Sequence, residues 1–238
     1  MNSQFLKDKL TVVIPSKNEG ITLYECVSYL SKQKGIEGTR VIIADISNEI
    51  ESLKYIHRLR TDFKYSLDIE VVKGGYPAYG RYAGGKMVKT PYVLFLDADI
   101  MIIDSELIGE VVKETKQLST VTLSTDKGYN WIYSIFNITQ RIMKFFGSSF
   151  AIGGFQLFNT DVYRYAGEYN PEHKFAEDYY VSNKIWSPLF YIHKTKGVYT
   201  SSRRFKNKGV LYMVTLMIKC WFNRNNPEFY MKSHGYWS

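Results

Sequence analysis

Cysteine, proline and long apolar runs are all scarce in this 238-residue chain, and each scarcity removes a class of protein. The two cysteines, Cys26 and Cys220, lie far apart in apolar surroundings, so packed free thiols are expected rather than a disulfide framework or a zinc site. Six prolines, no low-complexity tract, no internal repeat and 45% hydrophobic residues argue against a disordered or solenoid chain. No apolar run reaches the ~18 residues of a membrane span, and the start MNSQFLKDKL lacks the apolar core of a signal peptide. A folded protein in the cytoplasm is the expectation. Helix-turn-helix, zinc-finger and RNP-like signatures are also missing, so nucleic acid is not an expected partner.

What is present begins with charge. Thirty-one basic against 23 acidic residues give a formal +8, which favours an anionic partner. The bases thicken after residue 193, in HKTKGVYTSSRRFKNKG. The length suits one main domain, read here as residues 1–200, followed over 201–238 by a basic loop, an apolar helix and a tail. That tail packs either on the same domain or at a membrane surface.

Along the chain, KLTVVIPS reads as a strand, TLYECVSYLSKQKG as a helix, RVIIAD as a strand and EIESLKYIHRLR as a helix. DIEVVK, AYGRYAGGKMVK and YVLFLDAD continue the pattern as strand, helix and strand. This alternation is the mark of βαβ units, hence an α/β fold with a mostly parallel sheet and helices on both faces. Ligands of such sheets bind outside the carboxyl ends of the strands. PSKNE, Asp45 and the pair Asp97 and Asp99 all fall there.

Two carboxylates one residue apart at a strand end can converge on one cation, and hard oxygen ligands suit magnesium or manganese. The competing role for them is capping the next helix, which Asp104 is placed to do instead. Asp45 reads as a ligand contact or a turn cap, and Arg81 as a pocket residue or an exposed helix arginine. Gly84 and Gly85 inside a helical pattern cost about 1 kcal/mol each relative to alanine, which points to close backbone approach to a ligand or a strand. His193, alone at a strand end, is either a metal ligand or structural.

Three segments, VVIPSKNE, RYAGGKMVKTPYVLFLDAD and GGFQLFNTDVYRYAGEYNPEHKFAEDYYVSNKI, occur in an order and separation that resemble the inverting family 2 glycosyltransferases of the GT-A fold. The resemblance covers roughly residues 10–186. It implies a three-layer α/β/α sandwich and metal-dependent transfer, with inversion, from a nucleotide-diphosphate sugar to an acceptor hydroxyl or phosphate in glycan biosynthesis. By the same resemblance, Pro15, Asn18 and Glu19 belong to the nucleotide-binding loop, and Lys17 stands where many relatives carry an aromatic able to stack on the base. Asp45 would meet the base or ribose, Arg81 would line the nucleotide pocket, Asp97 would hold the ribose or sugar side, and Asp99 would ligate Mn2+ or Mg2+. Asp178, the second acid of the pair Glu177 and Asp178, would be the catalytic base. AEDYY read alone, without the upstream GGFQLF, is rather an acid-rich first helical turn.

Beyond residue 186, Arg203 and Arg204 can pair with phosphate in bidentate fashion or form a solvated basic surface. Two apolar stretches bear on the acceptor. In NWIYSIFNITQRIMKFFG, the residues Trp131, Ile135, Ile138, Ile142 and Phe145 recur at helical spacing, and GVLYMVTLMIKCWF is apolar between basic flanks. Both are core helices, or they rest peripherally on an anionic membrane and serve a lipid-linked rather than a soluble glycan acceptor. A sugar nucleotidyltransferase would want a Gly-rich basic loop after the first strand, which PSKNEG does not supply. An inactive sugar-nucleotide-binding scaffold is the third reading, against which the intact acids count.

Overall fold

The computed structural model describes residues 6–125, 128–151, 153–203, 206 and 209–234. Its first half is the expected alternation: β1 (Leu10–Ser16), α1 (Ile21–Leu30), β2 (Thr39–Asp45), α2 (Ile50–Asp62), β3 (Leu67–Lys73), α3 (Pro77–Lys86) and β4 (Tyr92–Leu96). There follow β5 (Ile100–Ile102), α4 (Leu107–Glu114), β6 (Leu118–Val121), α5 (Asn130–Phe145), β7 (Phe155–Asn159), α6 (Thr160–Tyr165) and α7 (Glu177–Ser182). The chain closes with β8 (Phe190–His193), β9 (Val198–Thr200), α8 (Val210–Phe222) and α9 (Pro227–Tyr230).

Seven strands form one sheet in the order β3-β2-β1-β4-β7-β6-β8. Strands β1 to β4 are mutually parallel, and β7 alone runs against its two neighbours, β4 and β6. The sheet is thus mostly parallel. Strand alternation divides its side chains cleanly between two layers. Val12, Ile14, Val41, Ile43, Leu94 and Leu96 face the layer that buries α1 and α4. Val13, Ile42, Val93 and Phe95 face the other, with Tyr163 of α6 and Val181 of α7. Such period-2 sorting is what a strand buried on both faces requires.

Helix α3 lies unusually close to this second face. A Cβ at Gly84 would meet Val13 Cγ1 at 2.4 Å, and one at Gly85 would meet the Tyr163 hydroxyl at 2.7 Å. The glycine pair therefore serves contact with a strand and a buried tyrosine, and it sets how deeply Arg81 sits.

The strand order reverses around β1 and β4, since β1 lies between β2 and β4 while its connection first runs to β2. That is a switch point of an open α/β sheet, where the carboxyl ends leave a crevice. β4 stops at Leu96, before the first aspartate: Asp97 to Ile100 form a tight turn closed by the Ile100 amide on the Asp97 carbonyl at 3.1 Å. The turn leads into β5, which pairs with β9 as a separate two-stranded sheet.

A third apolar cluster lies beside the crevice. Leu216 and Cys220 of α8 pack there on Phe150, Phe175 and Tyr179, which docks the C-terminal helix. Both cysteines are free thiols in buried positions. Burial pushes the Cys220 thiol up to about 12, and Cys26 is raised for the same reason.

Candidate active site

Two loops at the carboxyl ends of β1 and β2 are tied together by side chains. Asn18 adopts φ 53°, a left-handed conformation that asparagine tolerates better than most residues. Its amide donates to Ser47 Oγ at 2.7 Å, and its Oδ1 accepts from the Asn48 and Glu49 amides at 2.9 and 3.3 Å, just ahead of α2. Asp45 in turn accepts from the Ser47 amide and hydroxyl at 2.9 and 2.8 Å. Asp45 and Asn18 thus brace the crevice wall. Glu19 accepts from Arg203 Nη2 at 3.0 Å, which links this wall to the segment after β9. Lys17 is exposed beside it, and Pro15 lies under Gly80, whose added Cβ would meet Pro15 Cβ at 3.0 Å.

Arg81 is the centre of the crevice. Only 3% exposed, it forms ion pairs with Asp97, through Nη2, and with Glu177, through Nη1, and Nη2 also donates to the Gly153 carbonyl at 3.3 Å. One guanidinium therefore joins three chain segments that are distant in sequence. Burial by itself lowers the arginine pKa, but Asp97 and Glu177 more than reverse it and keep the side chain charged. The Tyr169 ring lies 5.6 Å below the guanidinium carbon.

Glu177 and Asp178 open α7 and diverge. The Glu177 carboxylate is taken by Arg81, whereas Asp178 Oδ1 accepts its neighbour Tyr179's amide at 2.8 Å. Gly153 gives Asp178 its space: a Cβ there would lie 2.6 Å from Asp178 Oδ2 and 3.3 Å from Arg81 Nη2. Burial pushes the Asp178 carboxyl above the usual carboxylate range, against the pull of the Arg81 charge. It is thereby a better proton acceptor than an exposed aspartate.

Three further residues support this arrangement without having been singled out from the sequence. Gly153 is one. Gln156 of β7 donates from Nε2 to the carbonyls of Ala151 and Asp178 at 2.9 and 3.2 Å, and it accepts the Tyr169 hydroxyl. A glutamine inside the apolar run GGFQLF was the available signal, because a buried amide must find partners.

Arg81, Asp97, Asp99, Glu177 and Asp178 line one cavity of about 680 Å³, whose other walls are apolar side chains of α5 and α8. Four carboxylates against one guanidinium give this end a formal −3 when all are ionised. That donor set, all oxygen and acid-rich, fits a hard divalent cation. Among the described residues no three of His, Cys, Asp or Glu are grouped to hold a metal by themselves. Such an arrangement suits Mg2+ or Mn2+, which take one or two carboxylates and complete their shell with water and substrate phosphate.

Pro15, Lys17, Asn18, Glu19, Asp45 and Arg203 do not line the cavity. Arg204 lies outside the described residues. His193 meets Glu114 at 2.9 Å and Glu110 at 3.7 Å, on α4 at the far edge of the sheet. Asp104 accepts the Glu106 amide at 3.1 Å, in the turn that precedes α4.

The apolar stripe of α5 faces outward. Trp131, Ile135, Ile138 and Ile142 are each 52–56% exposed, while Ile132, Tyr133 and Gln140 are buried. Among the described residues no helix is long and apolar enough to cross a membrane.

Residues 11–166 match the family model for Glycosyl transferase family 2. No curated protein sequence matches the chain. Among solved structures, S. aureus TarS 1–349 in complex with UDP-GlcNAc is 20% identical, with TM-score 0.63 over 82% of this chain and 59% of that one. S. aureus TarS in a longer form is 19% identical, TM-score 0.62, covering 94% and 41% of the respective chains. The mannosyltransferase PcManGT from Pyrobaculum calidifontis, in complex with GDP-Man and Mn2+, is 14% identical, TM-score 0.66, covering 98% and 70%. This chain therefore spans three-fifths or less of the TarS chains, and at these identities the likeness is one of fold. With the family model matched over more than half of its length and the layered sheet in place, the protein belongs to glycosyl transferase family 2 and has the GT-A fold.

Proposed function

We propose that the protein is a metal-dependent inverting glycosyltransferase that moves a sugar from a nucleotide-diphosphate sugar to a hydroxyl or phosphate of a glycan or lipid-linked acceptor. The observation that carries this reading is the Arg81 cluster: Asp97 and Glu177 are engaged by one buried arginine, and Asp178 stands on the cavity with Gly153 making room for it. UDP-GlcNAc and GDP-Man with Mn2+ in the similar structures support a sugar nucleotide as donor.

In this reading the donor's base and ribose lie along the loops of Pro15 to Glu19 and Asp45, with Lys17 at the rim, and its sugar lies toward Asp97 and Arg81. Arg203 approaches the phosphates. Asp178 takes the proton of the acceptor hydroxyl as that oxygen bonds to the anomeric carbon. The bond from that carbon to the diphosphate oxygen breaks on the opposite face, its electron pair leaves with the diphosphate, and the centre inverts. Asp99, with Asp97 beside it, would hold manganese or magnesium, which when bound would supply positive charge at the diphosphate. The residues 1–200 carry this chemistry, and 201–238 close the acceptor side, in a protein that sits peripherally at the cytoplasmic face of an anionic membrane.

A thermal-shift panel of UDP, GDP, dTDP and CDP sugars with and without manganese tests the donor half. A ligand of the folded state at a hundredfold excess over its Kd adds about 2.7 kcal/mol of apparent stability. One nucleotide class should stand out, and only with metal present. No shift with any of the four would overturn the reading.

A further inference from the structure

The cavity has a second, apolar end, and its lining is chemically uniform. Trp131, Ile135 and Ile142 of α5 face Met213, Val214 and Ile218 of α8 across it. The hydroxyl of Thr139 in this wall is turned back to the Ile135 carbonyl at 2.9 Å, so it offers the groove little polarity. Met143, Met213 and Met217 add flexible thioethers, which shape themselves to irregular apolar ligands. Yet the α5 stripe is more than half exposed, as is Ile218 at 54%. Contiguous exposed apolar surface of this kind marks a binding site.

Charge identifies the occupant. No aspartate or glutamate occurs between Asp126 and Asp161, or between Asp178 and Glu228. Arg141, Lys144 and Lys219 thus belong to two helices free of acids, Arg203 and Lys206 precede the second, and Arg224 follows it. An apolar groove whose two helices carry bases and no acids, with the cavity's four acids gathered at its other end, complements a molecule that is hydrocarbon in one part and polar in another. The groove is also continuous with Asp178, where a proton must be taken from the acceptor.

We propose that the groove between α5 and α8 binds the hydrocarbon chain of a lipid-linked acceptor and guides its polar end to Asp178. This rests on the transferase reading above and adds to it the acceptor's chemical class. The helices, of 16 and 13 residues, are too short to span a bilayer of about 30 Å and instead shelter a chain drawn up from its surface.

The test uses hexyl, octyl, decyl and dodecyl phosphate below their micelle-forming concentrations, with inorganic phosphate as the chainless control. Binding is measured by calorimetry on the full chain and on Val214→Glu and Ile135→Glu, both at exposed helix positions. Affinity should rise roughly two- to fourfold per methylene until the groove is full. Each variant should weaken dodecyl phosphate at least ~10-fold, because it puts a carboxylate where the chain lies. Sugar-nucleotide binding, read in the same samples, should not change. Equal affinity for hexyl and dodecyl phosphate with donor binding intact would overturn the groove, even if phosphatidylcholine–phosphatidylglycerol vesicles still bound the protein. Chain-length dependence without any sugar-nucleotide binding would instead sustain the groove and sink the transferase reading.

Discussion

The two ends of the cavity are built on opposite principles. At the charged end, side chains from α3, the β4–β5 turn, the Gly153 loop and α7 converge, and each buried charge has a partner inside the protein. At the apolar end two continuous helices supply nearly everything, and side chains such as Trp131, Ile135 and Ile218 are left more than half exposed. A charge cannot be buried alone without a cost of several kcal/mol, so Arg81 is held between Asp97 and Glu177, and the surplus negative charge at this end is left for a cation. Exposed hydrocarbon has a smaller cost per side chain, of about 1.5–3 kcal/mol, and can be left for a ligand to relieve. Chemistry is therefore held rigid at one end, and recognition is left open at the other.

The largest effect expected is at the charged end. Asp178→Asn should lower single-turnover transfer by about 10²- to 10⁴-fold with donor binding retained, since the amide keeps the shape but accepts no proton. Glu177→Gln should show first in the melting temperature, because it strips Arg81 of one counter-charge. A dead Glu177→Gln beside a near-normal Asp178→Asn would exchange their roles.

Next comes the claim that Arg81 holds this end together. Arg81→Leu leaves Asp97 and Glu177 without their cation, a loss of ~3–5 kcal/mol. For a chain of this size that is a fall in Tm of about 10 °C. Val214→Glu, at the apolar end, should leave Tm within about 2 °C, and an equal fall in both would erase the contrast.

Acid should separate the ends more gently. His173, beneath α9, packs on Tyr180 and Tyr230, and neither ring nitrogen has a hydrogen-bond partner among the described residues. Burial lowers its pKa from 6.5 to about 4, and Lys184 adds to this. The unfolded chain then binds the proton first, so stability is full above pH ~6.5 and is lost as pH falls toward 4, by up to ~3 kcal/mol. His173→Phe should flatten that part of a denaturation-versus-pH curve, and an unchanged slope would show that the loss comes from elsewhere. The smallest effect is expected for Arg203→Ala. Its exposed pair with Glu19 is worth less than about 1 kcal/mol, so a large loss of stability would mean the link closes the crevice in a way the ion pair alone does not explain.

Much of this was visible in the order of residues, and what escaped did so for definable reasons. The run TVVIPS shows a strand buried on both sides, and Val12, Val13 and Ile14 do divide between the two layers. In YVLFLDAD the strand pattern runs past the strand itself, which ends at Leu96, because apolarity does not reveal where the Ile100 amide closes a turn on Asp97. On α5 the residues Trp131, Ile135, Ile138 and Ile142 form a clear stripe, but Ile132, Tyr133 and Phe136 form another. Periodicity detects both and does not say which one meets the core. Gly153 carries no sequence signal for its role, since only the approach of Asp178 and Arg81 makes a Cβ intolerable there.

By itself, then, the order of residues determined the alternation of strands and helices, the placing of acids after strand ends and the acid-free stretches, because all are set by neighbours along the chain. Only the tertiary structure decided that Arg81 would be buried between Asp97 and Glu177, that Gly84 and Gly85 would serve Val13 and Tyr163, and that the α5 stripe would face away from the core. Those outcomes depend on which segments meet across the sheet, and a guanidinium becomes a core residue only when two carboxylates from elsewhere arrive to hold it.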